Sequence, residues 1–410
     1  DRLPYHVGGT VQDEGTAMGP SDSLRAEGIV LGDWQTAGGG EAGDFVFDRA
    51  EVGVVYAGEY GGIMTRWEEG SANERNISYY PTNPSGHGAE DLRVRFQWTA
   101  PLLASRREPG VIFHGSNILL RSADGGQTWK QVSPDLTRND KEKQKWSGGP
   151  ITGDNTGVEI YDTIFSLAES THADGELWAG TDDGLVHMTR DGGATWTNVT
   201  PAGMPEWATV ESIALSRADA GTAWIAVDAH RLDDLRPYVF RTRDAGVTWE
   251  PAIQGLPANA YVLAVREDPE VPGLLYAGTR SGVFLSRDGG DRWEAFKLNL
   301  PPAVISDLEV KNGDLVVATS GRSLWILDDL SAVRAWSAET AAKPLHLFPP
   351  RVAQRLQLHR GWSSEAVGEN PPRGATIHYS LATKAAGEVT LEIFDGEGRR
   401  VRRMSSVPKP

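Results

Sequence analysis

One short phrase recurs four times and fixes what this chain can fold into. It reads Ser122-Ala-Asp124-Gly-Gly-Gln-Thr128-Trp129, Thr189-Arg-Asp191-Gly-Gly-Ala-Thr195-Trp196, Thr242-Arg-Asp244-Ala-Gly-Val-Thr248-Trp249 and Ser286-Arg-Asp288-Gly-Gly-Asp-Arg292-Trp293. A hydroxyl and a carboxylate flank a glycine-containing step between two apolar stretches. This is hairpin-turn chemistry: glycine supplies positive φ and aspartate accepts hydrogen bonds from the turn's own amides. The tryptophan is expected to pack over the turn. Each aspartate belongs to a separate hairpin, so the four do not form a metal site.

The repeat extends upstream of each phrase. Around the last copy, short apolar runs at 261–266, 273–279, 282–286 and 292–296 give four strands. The same order recurs around 96–132, 161–199 and 210–251. Two further rounds, 44–67 and 305–336, lack the phrase. The aspartates are spaced by 67, 53 and 44 residues, and the shortest spacing is the bare unit. Four-stranded units of about 40–45 residues specify a β-propeller. Residues 5–10, 15–21 and 33–37 match the second, third and fourth strands of one more unit. The expectation is an all-β propeller of six full four-stranded blades plus a partial one. A chain that starts mid-blade is expected to be a fragment of a longer polypeptide.

The repeat pattern stops near Trp336, placing the propeller at 1–338 and a linker at 339–372. Alternating runs at 375–381 and 389–394, with a turn at 395–398, predict the start of a β-sandwich over 373–410. A net charge of −16 argues against nucleic acid as a partner. The absence of cysteine excludes disulfides and thiol chemistry. No apolar run is long enough to span a membrane. The histidines show no zinc spacing, so neither metal nor cofactor is expected.

Within each blade the Asp turns join the third and fourth strands on one rim. The turns between second and third strands, and the loops between blades, lie on the other rim beside the channel, where function is expected. The longest of these loops is 133–159. The candidate carboxylates there are Asp13, Asp33, Asp44, Asp154 and Glu159, since glycoside hydrolysis uses two carboxylates about 5–9.5 Å apart. The ligand-binding candidates are Tyr60, Trp98, Trp146, Asn155, Tyr161, Trp207, Arg280 and Arg322; flat aromatics beside polar groups suit sugar rings. The stretch from Asp228 to Asp234 reads as a solvated acidic loop.

The repeated phrase resembles the Asp-box, or BNR repeat. This repeat is shared by sialidases, xyloglucanase-type glycoside hydrolases, sortilin luminal domains and photosystem assembly factors. The chain is most similar to large bacterial secreted proteins described as sortilin-like or as BNR-repeat glycosyl hydrolases. The stretches that carry this likeness are Tyr5-His-Val-Gly-Gly-Thr-Val-Gln-Asp-Glu-Gly15, Gly148-Gly-Pro-Ile-Thr-Gly-Asp-Asn155 and Ser320-Gly-Arg-Ser-Leu-Trp325. The resemblance implies a periplasmic or secreted location and the C-terminal half of a longer protein. The leading expectation is a non-catalytic binding or scaffold module for a protein or glycan ligand. Its other partners would be the missing N-terminal part or other subunits. The alternative is a xyloglucanase-type glycoside hydrolase.

Overall fold

A computed structural model describes residues 3–158, 160–359 and 367–407. The chain forms a six-bladed β-propeller and a smaller unit. Five blades are four-stranded antiparallel sheets. The first holds Phe45–Phe47, Val54–Gly58, Met64–Glu68 and Asn73–Asn76. The second holds Leu102–Ala104, Ile112–Gly115, Leu119–Ser122 and Lys130–Gln131. The third holds Ile164–Glu169, Leu177–Thr181, Val186–Thr189 and Thr197–Asn198. The fourth holds Thr209–Leu215, Ala223–Ala229, Asp234–Thr242 and Glu250–Pro251. The fifth holds Val262–Glu267, Leu275–Thr279, Gly282–Ser286 and Trp293–Ala295.

The sixth sheet corrects the expectation of a full blade. It has three strands, Ile305–Lys311, Asp314–Thr319 and Leu324–Leu327, and the short helix Ser331–Ala335 follows where a fourth strand would start. At the N-terminus, His6–Val11 pairs with Gly15–Pro20. The expected third strand is reduced to a single bridge, Met18 to Gln35.

The compact units are Asp1–Leu327 with Gln357–Pro371, and Asp328–Leu356 with Pro372–Pro410. Residues 357–359 and 367–371 therefore belong with the propeller: His359 bridges Arg25 and Gly368 bridges Ile29. The second unit holds two hairpin-like sheets. Leu345–Leu347 pairs with Tyr379–Leu381, and Thr390–Phe394 pairs with Arg400–Ser405.

The repeated phrase does two jobs. Inside the turn, Asp191 Oδ1 accepts from Thr195 N at 2.8 Å, and Thr189 and Thr195 hydroxyls donate to its two oxygens at 2.7 Å each. These donors hold the Asp191 carboxyl down at about 2. Asp124 and Asp244 are bonded alike. In the last copy Arg292 replaces threonine, so the hydroxyl bond to Asp288 is lost and the backbone and Ser286 bonds remain.

Between blades, each tryptophan reaches backward. Indole Nε1 donates to Ile77 O from Trp129 (2.7 Å), to Val132 O from Trp196 (3.0 Å), to Val199 O from Trp249 (2.7 Å) and to Ala252 O from Trp293 (2.8 Å). Each acceptor follows the outermost strand of the preceding sheet. The phrase's second glycine makes room for that chain: a Cβ at Gly193 would stand 2.0 Å from Val132 O. Asp191→Ala removes three bonds from an exposed turn. The expected result is a melting temperature lower by about 2–4 °C, with ligand binding unchanged. Native melting with lost binding would show instead that the turn contacts ligand.

Candidate functional site

The other rim of the propeller is dominated by the connection between Lys130–Gln131 and Ile164–Glu169. Its first half is clamped to buried partners. Arg95 donates to Asp135 at 2.8 Å and to Asp162 O at 3.1 Å. Gln144, fully buried, donates to Asp162 Oδ2 at 2.6 Å and Asn139 Oδ1 at 2.9 Å. Arg138 donates from its backbone N to Asp183 Oδ2 (2.6 Å) and from Nε to Asp183 O (2.8 Å). The second half folds on itself: Asp154 N donates to Ser147 O at 2.9 Å, and Gly148 bridges Gly153. The loop 82–95 supports it, with Gly86 N to Asn155 O (2.8 Å), Ser85 Oγ to Thr156 O (2.8 Å) and Glu90 N to Gln144 O (2.9 Å).

Beneath this clamp lie three carboxyls, Asp162, Asp182 and Asp183, at 0%, 2% and 0% exposure. Burial pushes Asp182 up to about 8, although Thr163 N and its hydroxyl donate to it at 2.8 and 2.7 Å. Burial pushes Asp183 up to about 7, against donors from Thr181 and Arg138. The neighbouring Asp162 charge adds to this rise, and Asp162 Oδ1 is buried with no hydrogen-bond partner among the described residues. Next to them, Tyr161 Oη donates to Trp207 O at 2.9 Å. Arg138 and Lys143 cover the Trp207 indole, each 4.5 Å from its centroid.

A second cluster sits on the neighbouring blades. The innermost strands of the last four blades share a register shift at one place: Ile164/Ser166, Val210/Ser212, Val262/Ala264 and Ile305/Asp307. Bulges re-aim side chains, and the bulged residue of the fourth blade is Glu211. Burial raises Glu211 to about 8, with Asp228 adding repulsion and Arg231 opposing it. Asp228, 3% exposed, accepts from His230 N at 3.0 Å and faces His230 Nδ1 in a short contact. The His230 ring stacks on Tyr261 with centroids 4.7 Å apart. Asp228 is thus a buried anchor rather than part of a solvated acidic loop. The rest of that stretch is a short 3-10 turn, His230–Leu232, leading into the strand Asp234–Thr242.

The residues singled out from sequence fall in different places. Tyr161 and Trp207 meet, and Trp146 and Asn155 share one loop. Trp146 lies against Gly153, and Asn155 Oδ1 accepts from Ser147 N at 3.2 Å. Arg280 sits near Tyr261, whose carbonyl accepts from Arg280 N at 3.0 Å. Tyr60 lies in the 3-10 turn Tyr60–Gly62, and the Trp98 indole N–H is buried with no hydrogen-bond partner among the described residues. Arg322 contributes through its backbone: Trp325 Nε1 donates to its carbonyl at 2.8 Å.

Among the carboxylates, Asp13 lies in the first hairpin turn, its backbone N bonded to Glu41. Asp33 accepts from Val30 N at 2.9 Å and pairs with Arg25 at 3.6 Å. Asp44 accepts from Leu102 N at 2.9 Å. It is open to solvent yet ringed by protein. Desolvation lifts it to about 7, with Asp307 adding repulsion. Asp154 is exposed, and Glu159 lies outside the described residues. None of Asp13, Asp33 and Asp154 shares a hydrogen bond or ion pair with another of these candidates among the described residues.

Sequence reasoning passed over Arg138, Asp182, Asp183, Glu211 and His230. The doublet Asp182-Asp183 at the start of a turn was the one available signal. Among the described residues no group of side chains has metal-site geometry, and no helix is long and apolar enough to cross a membrane.

No family model matches the chain. It is 27% identical over 124 residues to an oligoxyloglucan reducing end-specific xyloglucanase of Emericella nidulans, covering 30% of this chain and 15% of that protein. Its fold is similar to the GH74 xyloglucanase of Xanthomonas campestris, with a TM-score of 0.51 and 16% identity. That likeness covers 79% of this chain and 50% of the other. YCF48 from Cyanidioschyzon merolae overlaps at TM-score 0.47 and 13% identity, covering 80% of this chain and 96% of the other. The chain spans half the length of the Xanthomonas xyloglucanase and less of the Emericella one. At 16% identity the structural likeness establishes the propeller fold and leaves the chemistry to the site itself.

Proposed function

We propose that this propeller is an exported, non-catalytic binding module of the Asp-box type, recognising a protein or glycan partner on the face that carries residues 133–162. One observation carries this reading. The connection is bonded to itself and to its neighbours, yet it holds Trp146 52% exposed and Ile151 97% exposed. An apolar group on a pre-ordered loop meets a partner with little further loss of conformational entropy. The carboxyls below it are sealed from solvent, so no substrate bond reaches Asp162, Asp182 or Asp183. Export rests on the resemblance to secreted Asp-box proteins.

The test is binding to immobilised xyloglucan, other β-glucans and a peptide array, followed by Trp146→Ala. The expected result is an affinity lower by about tenfold with an unchanged melting temperature. Retention of full affinity by Trp146→Ala for every ligand found would refute this assignment.

A second reading, a glycoside hydrolase, is favoured by Glu211. Its raised pKa keeps the carboxyl protonated near neutrality, as a general acid requires, and Asp228 stands beside it. Release of reducing ends from xyloglucan by the purified chain would transfer the assignment to this reading.

A further inference from the structure

The hairpin of His6–Val11 and Gly15–Pro20 stands in the ring between the sixth sheet and the first blade. On one side Tyr5 Oη donates to Asp314 Oδ2, in the second strand of the sixth sheet, at 3.1 Å. On the other, Met18 and Ala37 pack with Val55, Ala57 and Trp67. One glycine fixes which strand of a blade His6–Val11 represents. In the second, third and fifth blades a second-strand glycine presses on the innermost strand of the next sheet. A Cβ on Gly115, Gly180 or Gly278 would run into Ile164, Val210 or Ile305. A Cβ on Gly8 would likewise run into Phe45, in the innermost strand of the first blade. His6–Val11 is therefore a second strand. Its sheet holds only itself and Gly15–Pro20 among the described residues, so the place of its innermost strand is a gap.

The gap is marked on three sides. Met18, opposite Gly8, turns its N–H and C=O outward to Gln35 at 2.8 and 2.9 Å. By strand alternation Gly8, and Thr10 two places on, turn theirs to the channel side. These four groups make no backbone hydrogen bond among the described residues. Where an innermost strand is present they are paired. In the place of Gly8, Gly58 N donates to Asp44 O (3.0 Å) and Gly115 N to Pro101 O (2.9 Å). In the place of Thr10, Asp182 N donates to Thr163 O (3.0 Å), Arg280 N to Tyr261 O (3.0 Å) and Ser320 N to Val304 O (2.9 Å). On the second side, the innermost strand of the sixth sheet exposes Ser306, Asp307 and Glu309. The strands Ile164–Glu169, Thr209–Leu215 and Val262–Glu267 expose no residue. On the third side, Phe47 of the first blade is 37% exposed.

We infer that this gap receives a strand from a partner polypeptide, lying antiparallel to His6–Val11 and completing the sheet. The ring itself specifies the guest. In the third to sixth sheets the innermost strand is antiparallel to the second and six or seven residues long. In the third, fourth and fifth blades it carries a β-branched residue with no exposure, Ile164, Val210 or Val262. Two places on stands a small residue, Ser166, Ser212 or Ala264, paired with Gly180, Ala226 or Gly278. The guest is an extended segment with this spacing, its small residue opposite Gly8. Main-chain bonds to an open strand edge supply affinity, and the alternate side chains supply specificity. A gap already held on both flanks loses little further conformational entropy on filling. The site is separate from residues 133–162, so either assignment can fail without the other.

Amide hydrogen exchange of the whole chain, read residue by residue by NMR, tests this. The probe is a synthetic peptide of residues 260–268, Ala260-Tyr-Val-Leu-Ala-Val-Arg-Glu-Asp268. In the free chain the Gly8 and Thr10 amides should exchange at least about tenfold faster than those of Val7 and Gly9, which face Gly15–Pro20. Saturating peptide should slow Gly8 and Thr10 at least about tenfold more than Val7 and Gly9, and should raise the melting temperature by a few degrees. The same peptide with Ala264→Pro lacks the N–H that would meet Gly8 O and should do neither. Slow exchange of Gly8 and Thr10 in the free chain, no change on adding peptide to millimolar concentration, or equal protection by the proline peptide overturns the inference. Protection that grows with protein concentration alone, with a dimer in sedimentation, would give the gap to a second copy and overturns the partner strand as well.

Discussion

Trp293→Ala is expected to destabilise the propeller by about 3–5 kcal/mol, read as a shift in the urea midpoint. The indole is 2% exposed and packs with Trp224, Ala252, Leu275 and Phe284. Its N–H donates to Ala252 O across the blade boundary. Truncation leaves a cavity between two blades and strands the Ala252 carbonyl. Trp293→Phe keeps most of the volume and removes the donor, so about 1–2 kcal/mol is expected from it. Each sheet buries its faces only against its neighbours, so the loss should appear in the propeller transition as a whole. A Trp293→Ala protein within 1 kcal/mol of the parent would contradict the role assigned to these indoles.

The second large effect is on pH. Burial raises Asp182, Asp183 and Glu211 from 3.8, 3.8 and 4.5 to about 8, 7 and 8. A carboxyl whose folded pKa exceeds its unfolded value binds more protons in the folded state. Its contribution is therefore complete below the unfolded pKa and is lost as pH rises through the folded pKa. Stability should fall by several kcal/mol from pH 5 to pH 9. The depressed carboxyls Asp124 and Asp191, at about 2, act in the opposite sense. Their contribution is present above about pH 4 and is lost on further acidification. Melting temperature should therefore peak near pH 4–5. Glu211→Gln should flatten the alkaline limb, because the neutral isostere has no proton to lose. A pH-independent melting temperature between 5 and 9 would refute the assignment of protonated carboxyls at this rim.

The fold could be read from the chain because its information is local and repeated. Asp191 needs only Thr189 and Thr195, both within four residues, to close its turn. Four such turns at blade spacing leave few architectures available. The sixth sheet shows the limit. Leu324–Leu327 is an edge whose fourth partner depends on where the chain goes next, and period-two patterning does not report that. The first hairpin is similar, because Asp33 and Gln35 were expected in a strand and only Gln35 keeps a bridge.

The site was legible as a face and not as a set of partners. Residues 133–162 announced themselves by length and glycine content. That Gln144 would hold Asp162, or that Arg138 would cover Trp207 and bond Asp183, depended on contacts between residues 18 to 69 positions apart. The sequence by itself determined the repeating turn, the blade order and the rim on which loops gather, since each follows from nearest neighbours and strand alternation. Tertiary structure alone decided which carboxyls are buried and protonated and which aromatics are already covered. Charge and burial are properties of assembled surroundings, and no local pattern encodes them.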